Sequence, residues 1–373
     1  MERPEIFYTL PTVYAVGNNY EIIVPVNEPC LMWVGVGDEE YYDDSNGILR
    51  SASLTHKMTV PQEALNSACA YTVRWRRMIE RKPYRSVVGD IEEYTSDFRP
   101  VDADKQRINI INIADAHNRV SGPVNAGRYF ERIGEELDIL MLNGDIPNHS
   151  GDLSYFKAIH RIAAEITGGR IPVVFARGNH DTRGIYAENI ADHTPTDNDV
   201  SYFTFRLGPV WGVVLDCAED KPDDHEEYGH TICCEAFRRR ESRWLEAVAA
   251  NEKEYTDPSI KYRLVVAHNP FTERRVPPFN IEEATFAHWG ELLRDRIKPN
   301  LMLSGHVHRC YVSYPGGERD AHCQPCPIVA SSRLSKEDTE FFVCGAITLD
   351  GNTATVRFVD NCGTVTAEEQ VEI

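Results

Sequence analysis

The sequence predicts an α/β protein with a leading all-β segment. Three observations carry that expectation: short alternating strands before residue 100, a strand, loop and helix rhythm from Arg107 onward, and polar clusters where the later strands end. At 373 residues the chain exceeds one ordinary core and fits two domains, or one domain with large additions. We place the division near residue 100, with a small all-β sandwich domain over 1–100 and an α/β domain over 101–373.

In the first segment, alternation is visible in Tyr20-Glu-Ile22-Ile-Val24-Pro-Val26, in Cys30-Leu-Met32-Trp-Val34-Gly-Val36 and in Tyr71-Thr-Val73-Arg-Trp75. Turn signals such as Gly17-Asn18-Asn19 and Asp44-Ser-Asn-Gly47 lie between such strands. This spacing predicts a sandwich of immunoglobulin or fibronectin-like type. Thr95-Ser-Asp-Phe-Arg-Pro100 reads as the exit from it.

Beyond it, apolar runs predict strands over 107–114, 138–142, 171–176, 202–207, 210–215, 263–267 and 301–304. Helices are expected over 124–136, 153–166, 236–250 and 286–296; the second carries Phe156, Ile159, Ile162, Ala163 and Ile166 at helical spacing. Runs this apolar imply strands covered on both faces, hence a layered core. The tail, 341–349 and 353–359, returns to β and is expected to extend the sheet.

Hydrophobic residues at 42% and charged residues at 26% match a soluble globular chain. No apolar run approaches the roughly 20 residues of a spanning helix, and the start, MERPEIFYTL, lacks a basic-then-apolar leader pattern. The expected setting is cytoplasmic, with no membrane partner. A formal charge of −19 disfavours nucleic acid polymers, which are held by Lys and Arg on phosphates. An acidic chain that handles phosphate needs a local positive charge, and a metal ion can supply one. The ten cysteines are scattered and read as reduced thiols. His322-Cys323-Gln-Pro-Cys326 would hold zinc only if Cys310 joined it, and a single CxxC is a weak signal.

Ligand-type residues stand at five strand ends: Asp115-Ala-His117, Gly144-Asp145, Gly178-Asn179-His180-Asp181, His268, and Gly305-His306-Val-His308. Open α/β sheets place their ligand sites at such ends. Alone, each piece has an ordinary explanation as a cap, a turn or a hydrogen-bonded histidine. All five in order at strand ends reverse that judgement.

The pattern DxH, GD, GNH[DE], H, GHxH over about 107–310 resembles the calcineurin-like metallophosphoesterases. The resemblance implies a four-layer α/β/β/α sandwich and two metal ions. It assigns Asp115, His117 and His308 to one metal and Asn179, His268 and His306 to the other, with Asp145 bridging them. His180 would be the catalytic imidazole outside the ligand set. Asp181 would orient that ring, or alternatively cap the local backbone.

The implied activity is hydrolysis of a phosphomonoester or phosphodiester of a small phosphorylated substrate, by a hydroxide bridging the two metals. Paired cations about 3.5–4 Å apart activate water near neutral pH and clamp attacking and leaving oxygens. A non-catalytic scaffold or docking protein on the same fold is the alternative. The oxygen and nitrogen ligand set suits divalent or mixed-valence Mn, Fe or Zn. Asn118, Asn148, His149, Arg177 and Arg183 are candidate substrate contacts, and the acidic stretch from Cys217 to Cys234 is a candidate lid or surface loop. Gly178 is expected to permit a tight turn.

The leading β domain also resembles that of purple acid phosphatases. That family has a metal-binding Tyr three residues after the Gly-Asp aspartate and DxG in place of DxH. Here the sequence reads Asp145-Ile-Pro-Asn148, so a general metallophosphoesterase with a fused β domain is expected.

Overall fold

The computed structural model describes residues 2–272 and 274–373. Among these, ten strands form one large sheet. Its main path runs Val365–Glu372, Thr353–Asp360, Phe342–Asp350, Arg107–Ile113, Ile139–Asn143, Pro172–Ala176, Thr12–Val16, Asn19–Pro25 and Thr55–Pro61, with Arg333–Leu334 beside Phe342–Asp350. A second sheet holds Phe203–Leu207, Val210–Leu215, Tyr262–Ala267, Leu301–Ser304, Ile328–Ala330 and Tyr311–Ser313 in that order.

The two-residue period of strands sorts their side chains into layers. Ile108, Ile110, Ile139 and Met141 turn inward and share a core with Val210, Leu264, Val266 and Leu303 of the facing sheet. Their neighbours Ile111, Ile113, Leu140 and Leu142 turn outward onto the helices Ser121–Gly127 and Lys157–Thr167, meeting Val124, Ile159, Ile162 and Ala163. On the far side, Val213, Val265 and Ala267 meet Leu245, Phe286 and Trp289 of the helices Cys234–Ala250 and Glu283–Leu292. The result is helix, sheet, sheet, helix, the four-layer order that the family resemblance implies. Each buried aliphatic or aromatic side chain of this kind contributes about 1.5–3 kcal/mol relative to exposure.

The N-terminal region is β-rich, and its strands go two ways. Cys30–Val36, Glu39–Tyr42, Ala70–Glu80 and Glu92–Asp97 pair among themselves in a smaller sheet. Thr12–Val16, Asn19–Pro25 and Thr55–Pro61 instead extend the large sheet, with Val13 opposite Pro172 and Tyr14 opposite Val173 in parallel register. Met32, Val34, Val73 and Trp75 of the small sheet join Ile22, Val24, Met58 and Val60 in the core that continues between the two large sheets. We keep the division near residue 100 as a proposal for where the α/β alternation begins; the large sheet itself runs across it.

The helix expected over 124–136 is two short helices, Ser121–Gly127 and Tyr129–Arg132. Gly127 lies close against Ile166, where a Cβ would come within 2.5 Å of Cδ1. A residue chosen for that approach is also a poor helix former. The C-terminal strands appear as expected, and a further one, Val365–Glu372, caps the edge of the sheet. No described helix is long and apolar enough to cross a membrane.

Candidate metal centre

The strand ends named above converge from both sheets. Asp115 and His117 follow Arg107–Ile113, Asp145 follows Ile139–Asn143, and Asn179 and His180 follow Pro172–Ala176 in the ten-stranded sheet. His268 follows Tyr262–Ala267, and His306 and His308 follow Leu301–Ser304, in the facing sheet. Two buried asparagines tie the sheets together beneath them. Asn112 Nδ2 donates to Ser331 Oγ at 2.7 Å, and Asn143 Nδ2 donates to the Leu303 carbonyl at 2.9 Å. Buried amide N–H groups that bond across the layers in this way help to fix their spacing. Neither was singled out in the sequence, although an Asn inside an otherwise apolar strand is the available signal.

The backbone at the site is held in an uncommon conformation. Asp115, His117, Asn118, Asp145, His306 and His308 all have positive φ, between 45° and 68°. Such residues cost on the order of 1–3 kcal/mol each and persist where surrounding contacts over-determine them. The contacts here are main-chain bonds between loops: Asp115 N to Gly144 O at 3.0 Å, His117 N to Asp145 O at 3.0 Å, and Gly305 N to His268 O at 2.9 Å.

Three groups of ligand atoms result, each with its members within 4.8 Å of one another: Asp115, His117 and His308; His117, Asp145 and His180; and Asp145, His268 and His306. Asn179 joins the third, its Oδ1 lying 3.0 Å from His306 Nδ1. Asp145 Oδ1 accepts the His180 amide at 2.8 Å, while its Oδ2 lies 3.2 Å from His268 Nε2. His308 Nε2 is 3.2 Å from Asp115 Oδ1, and His117 Nε2 is 3.1 Å from His308 Nε2.

These donors fit cations better than they fit each other. Asp115 Oδ1, His117 Nδ1 and His268 Nε2 are buried without a hydrogen-bond partner, so the short approaches of His268 to Asp145 and of His308 to Asp115 lack hydrogen-bond alignment. Orphaned donors and acceptors at such spacing are costly unless a shared partner satisfies them. His268 Nδ1 bonds the Asn143 carbonyl at 2.7 Å, which aims Nε2 into the cluster, as outer partners of metal-binding histidines do.

Charge balance points the same way. Burial alone would lower the His268 pKa, but Asp145 and then Asp115 outweigh it and raise it to about 10. Burial would raise Asp145, yet His268, His180 and His117 hold it well below the carboxylate range. Burial brings His117 down to about 4, with Asp145 and Asp115 opposing. The Asp115 carboxylate, 3.2 Å from Nε2, holds His308 above its usual value against the effect of burial.

His180 stands at the edge of the cluster, its ring edge-on to His117 with centroids 4.7 Å apart. Its Nδ1 bonds the Asn148 carbonyl at 2.8 Å, leaving Nε2 turned toward Asp145 Oδ2 at 4.0 Å. Asp181 does not steer this ring. The turn buries it, and its Oδ2 accepts from Gly178 N at 2.7 Å and Asp145 N at 3.3 Å, the backbone-capping alternative. Burial, then the Asp145 charge, raises Asp181 to about 8.

The other candidates divide. Asn118 Oδ1 accepts from Asn148 N at 3.1 Å, which ties two rim loops together. His149 turns to Gly151 N at 3.0 Å and to the Tyr155 ring. Arg177 is held by Asp216 at 2.6 Å. Arg183 bonds Glu219 through Nε and Nη2 at 2.8 and 2.9 Å and brings Nη1 to 3.4 Å from His180 Nε2. The 217–234 stretch therefore meets the site through Arg183, and Glu219 is fully buried rather than on a solvated surface. Among the described residues, the converging groups do not include Cys310, His322, Cys323 or Cys326.

Gly178 has a role other than the expected one. Its φ is not positive; instead, a Cβ there would overlap Asp145 Oδ1 and lie 2.5 Å from Asp145 N. We expect Gly178→Ala to destabilise the protein by about 1–3 kcal/mol through overpacking and to lower its divalent metal content. Denaturant unfolding and elemental analysis of the purified variant check both.

Residues 108–310, more than half of the chain, match the family described as Calcineurin-like phosphoesterase, and the chain belongs to that family. Among solved structures it is similar to the purple acid phosphatase PPD1 from yellow lupin (Lupinus luteus) seeds. The identity is 13%, the TM-score 0.61, and the match covers 97% of this chain and 74% of that one. A dimetal phosphatase from Danio rerio, also 13% identical, covers 74% of this chain and 99% of its own with a TM-score of 0.49. Among curated proteins none matches this chain.

Proposed function

We propose that the chain is a dinuclear metal-dependent phosphoesterase that hydrolyses a phosphomonoester or phosphodiester of a small molecule. One observation carries the reading: Asp145 belongs to two of the ligand-atom groups at once, and His180, a member of one of them, is anchored through Nδ1 on the Asn148 carbonyl with Nε2 beside Arg183 Nη1. Asp115, His117 and His308 would hold one cation, Asn179, His268 and His306 a second, and Asp145 both. When bound, such a pair supplies a hydroxide nucleophile near neutral pH and screens phosphoryl charge. Mn, Fe and Zn all suit the nitrogen and oxygen donors.

The chain's own residues do the rest. The Asn148 carbonyl accepts from the His180 Nδ1–H and so leaves the Nε2 lone pair of the neutral ring facing the cluster; with a proton added at Nε2 the imidazolium can pass it to the leaving oxygen. Arg183, anchored by Glu219 and beside Nε2, limits where that ring can swing. Asp181 holds the Gly178 and Asp145 amides and so keeps the shared carboxylate in place. Ten free cysteines support a reducing, cytoplasmic site of action.

The test is turnover of p-nitrophenyl phosphate and bis-p-nitrophenyl phosphate by protein reconstituted with Mn²⁺, Fe²⁺ or Zn²⁺. Metal-dependent release of nitrophenol is expected. No turnover with any of the three would transfer the weight to a docking role.

A further inference from the structure

An arginine outside every motif quoted above lies against the cluster. Arg275 follows His268 in the loop before the helix Glu283–Leu292, is half-buried, and brings Nη1 to 2.8 Å from His306 Nε2. Among the described residues it has no carboxylate in ion-pair contact. Arg177 and Arg183 do, on Asp216 and on Glu219, Asp220 and Glu227. The buried Glu282 carboxylate feels the Arg275 charge without an ion-pair contact, so among the described residues Arg275 stands beside the site with its fork uncommitted to a carboxylate.

Hydrogen-bond accounting at His306 makes its present contact conditional. A guanidinium only donates, so Nε2 is the nitrogen that accepts, and Nδ1–H donates to Asn179 Oδ1 at 3.0 Å. If Nδ1 and Asn179 Oδ1 both offer lone pairs to one cation, the ring hydrogen belongs on Nε2. Two donors then face each other with no acceptor between them. The guanidinium is left to find an acceptor, and an anion at the rim of the cluster satisfies it best.

We propose that Arg275 binds a non-bridging oxygen of the substrate's phosphate and biases the site toward phosphomonoesters. The inference rests on the phosphoesterase reading. A phosphomonoester carries close to two negative charges at neutral pH and three acceptor oxygens, whereas a diester has one fewer of each. The additional oxygen is the one left for a fork that already lies beside the ligands.

The experiment titrates metal-loaded wild type, Arg275→Ala and Arg275→Lys with inorganic phosphate by calorimetry, with metal content measured on each. It also compares kcat and KM on p-nitrophenyl phosphate and bis-p-nitrophenyl phosphate. At unchanged metal content, Arg275→Ala is expected to bind phosphate roughly 10–100-fold more weakly, the loss typical of a charged hydrogen bond. Its kcat/KM on the monoester should fall in step, mainly through KM, with the diester little affected and Lys restoring part of the loss. Equal phosphate affinity in wild type and Arg275→Ala overturns the proposal, as does loss of metal from the variant, which would make Arg275 a support for His306. Wild type that turns over neither ester sinks the phosphoesterase reading instead, and the phosphate titration still decides Arg275.

Discussion

Asp145→Asn is expected to lower kcat by roughly 10³-fold or more and to leave the protein with at most one retained cation. Among the described residues, the shared carboxylate is the only side chain common to the ligand groups with His180 and with His306. An amide oxygen can still accept the His180 N–H, now at 2.8 Å, so the fold should persist. What disappears is the negative charge. Metal-derived stabilisation of a phosphoryl transition state amounts to several kcal/mol, and each ~1.4 kcal/mol is a factor of ten in rate. Elemental analysis and circular dichroism on the same sample separate loss of metal from loss of structure. A variant that keeps two cations and near-normal turnover rules out the bridging role.

His180→Ala should separate chemistry from metal binding. Its ring bonds a carbonyl at the rim and, at 3.4 Å, Arg183 Nη1, which Glu219 holds independently, so removal costs little structure. The expected outcome is a fall in kcat of roughly 10²–10⁴-fold, the usual contribution of a positioned proton donor, with both cations retained. Unchanged kcat, or a collapse in metal content, would remove His180 from the proton-transfer role.

Much of this arrangement was legible in the sequence for a physical reason. Strands covered on both faces must be apolar throughout, so Ile139–Asn143 and Val210–Leu215 announce themselves, and ligands at fixed offsets beyond them stand out. Val365–Glu372 does not, because it faces solvent along most of its length and carries Glu368, Glu369 and Gln370. The pairing of Val13 with Pro172 has no local signature, since hydrogen bonds between distant strands depend on backbone atoms that every residue has. Asp181 and Gly178 were found by motif, yet their tasks follow from where Asp145 sits in space. Arg275 was missed because only the position of His306 gives it significance.

One connection reaches beyond the chemistry. Thr12–Val16 lies alongside Pro172–Ala176, the strand that delivers Asn179 and His180. Severing the chain near residue 100 would strip that strand of a neighbour and leave a row of amides open to any passing segment. The opening hundred residues are therefore not a detachable accessory. Any attempt to shorten this protein, or to transplant its reactive half onto another host, has to bring them along.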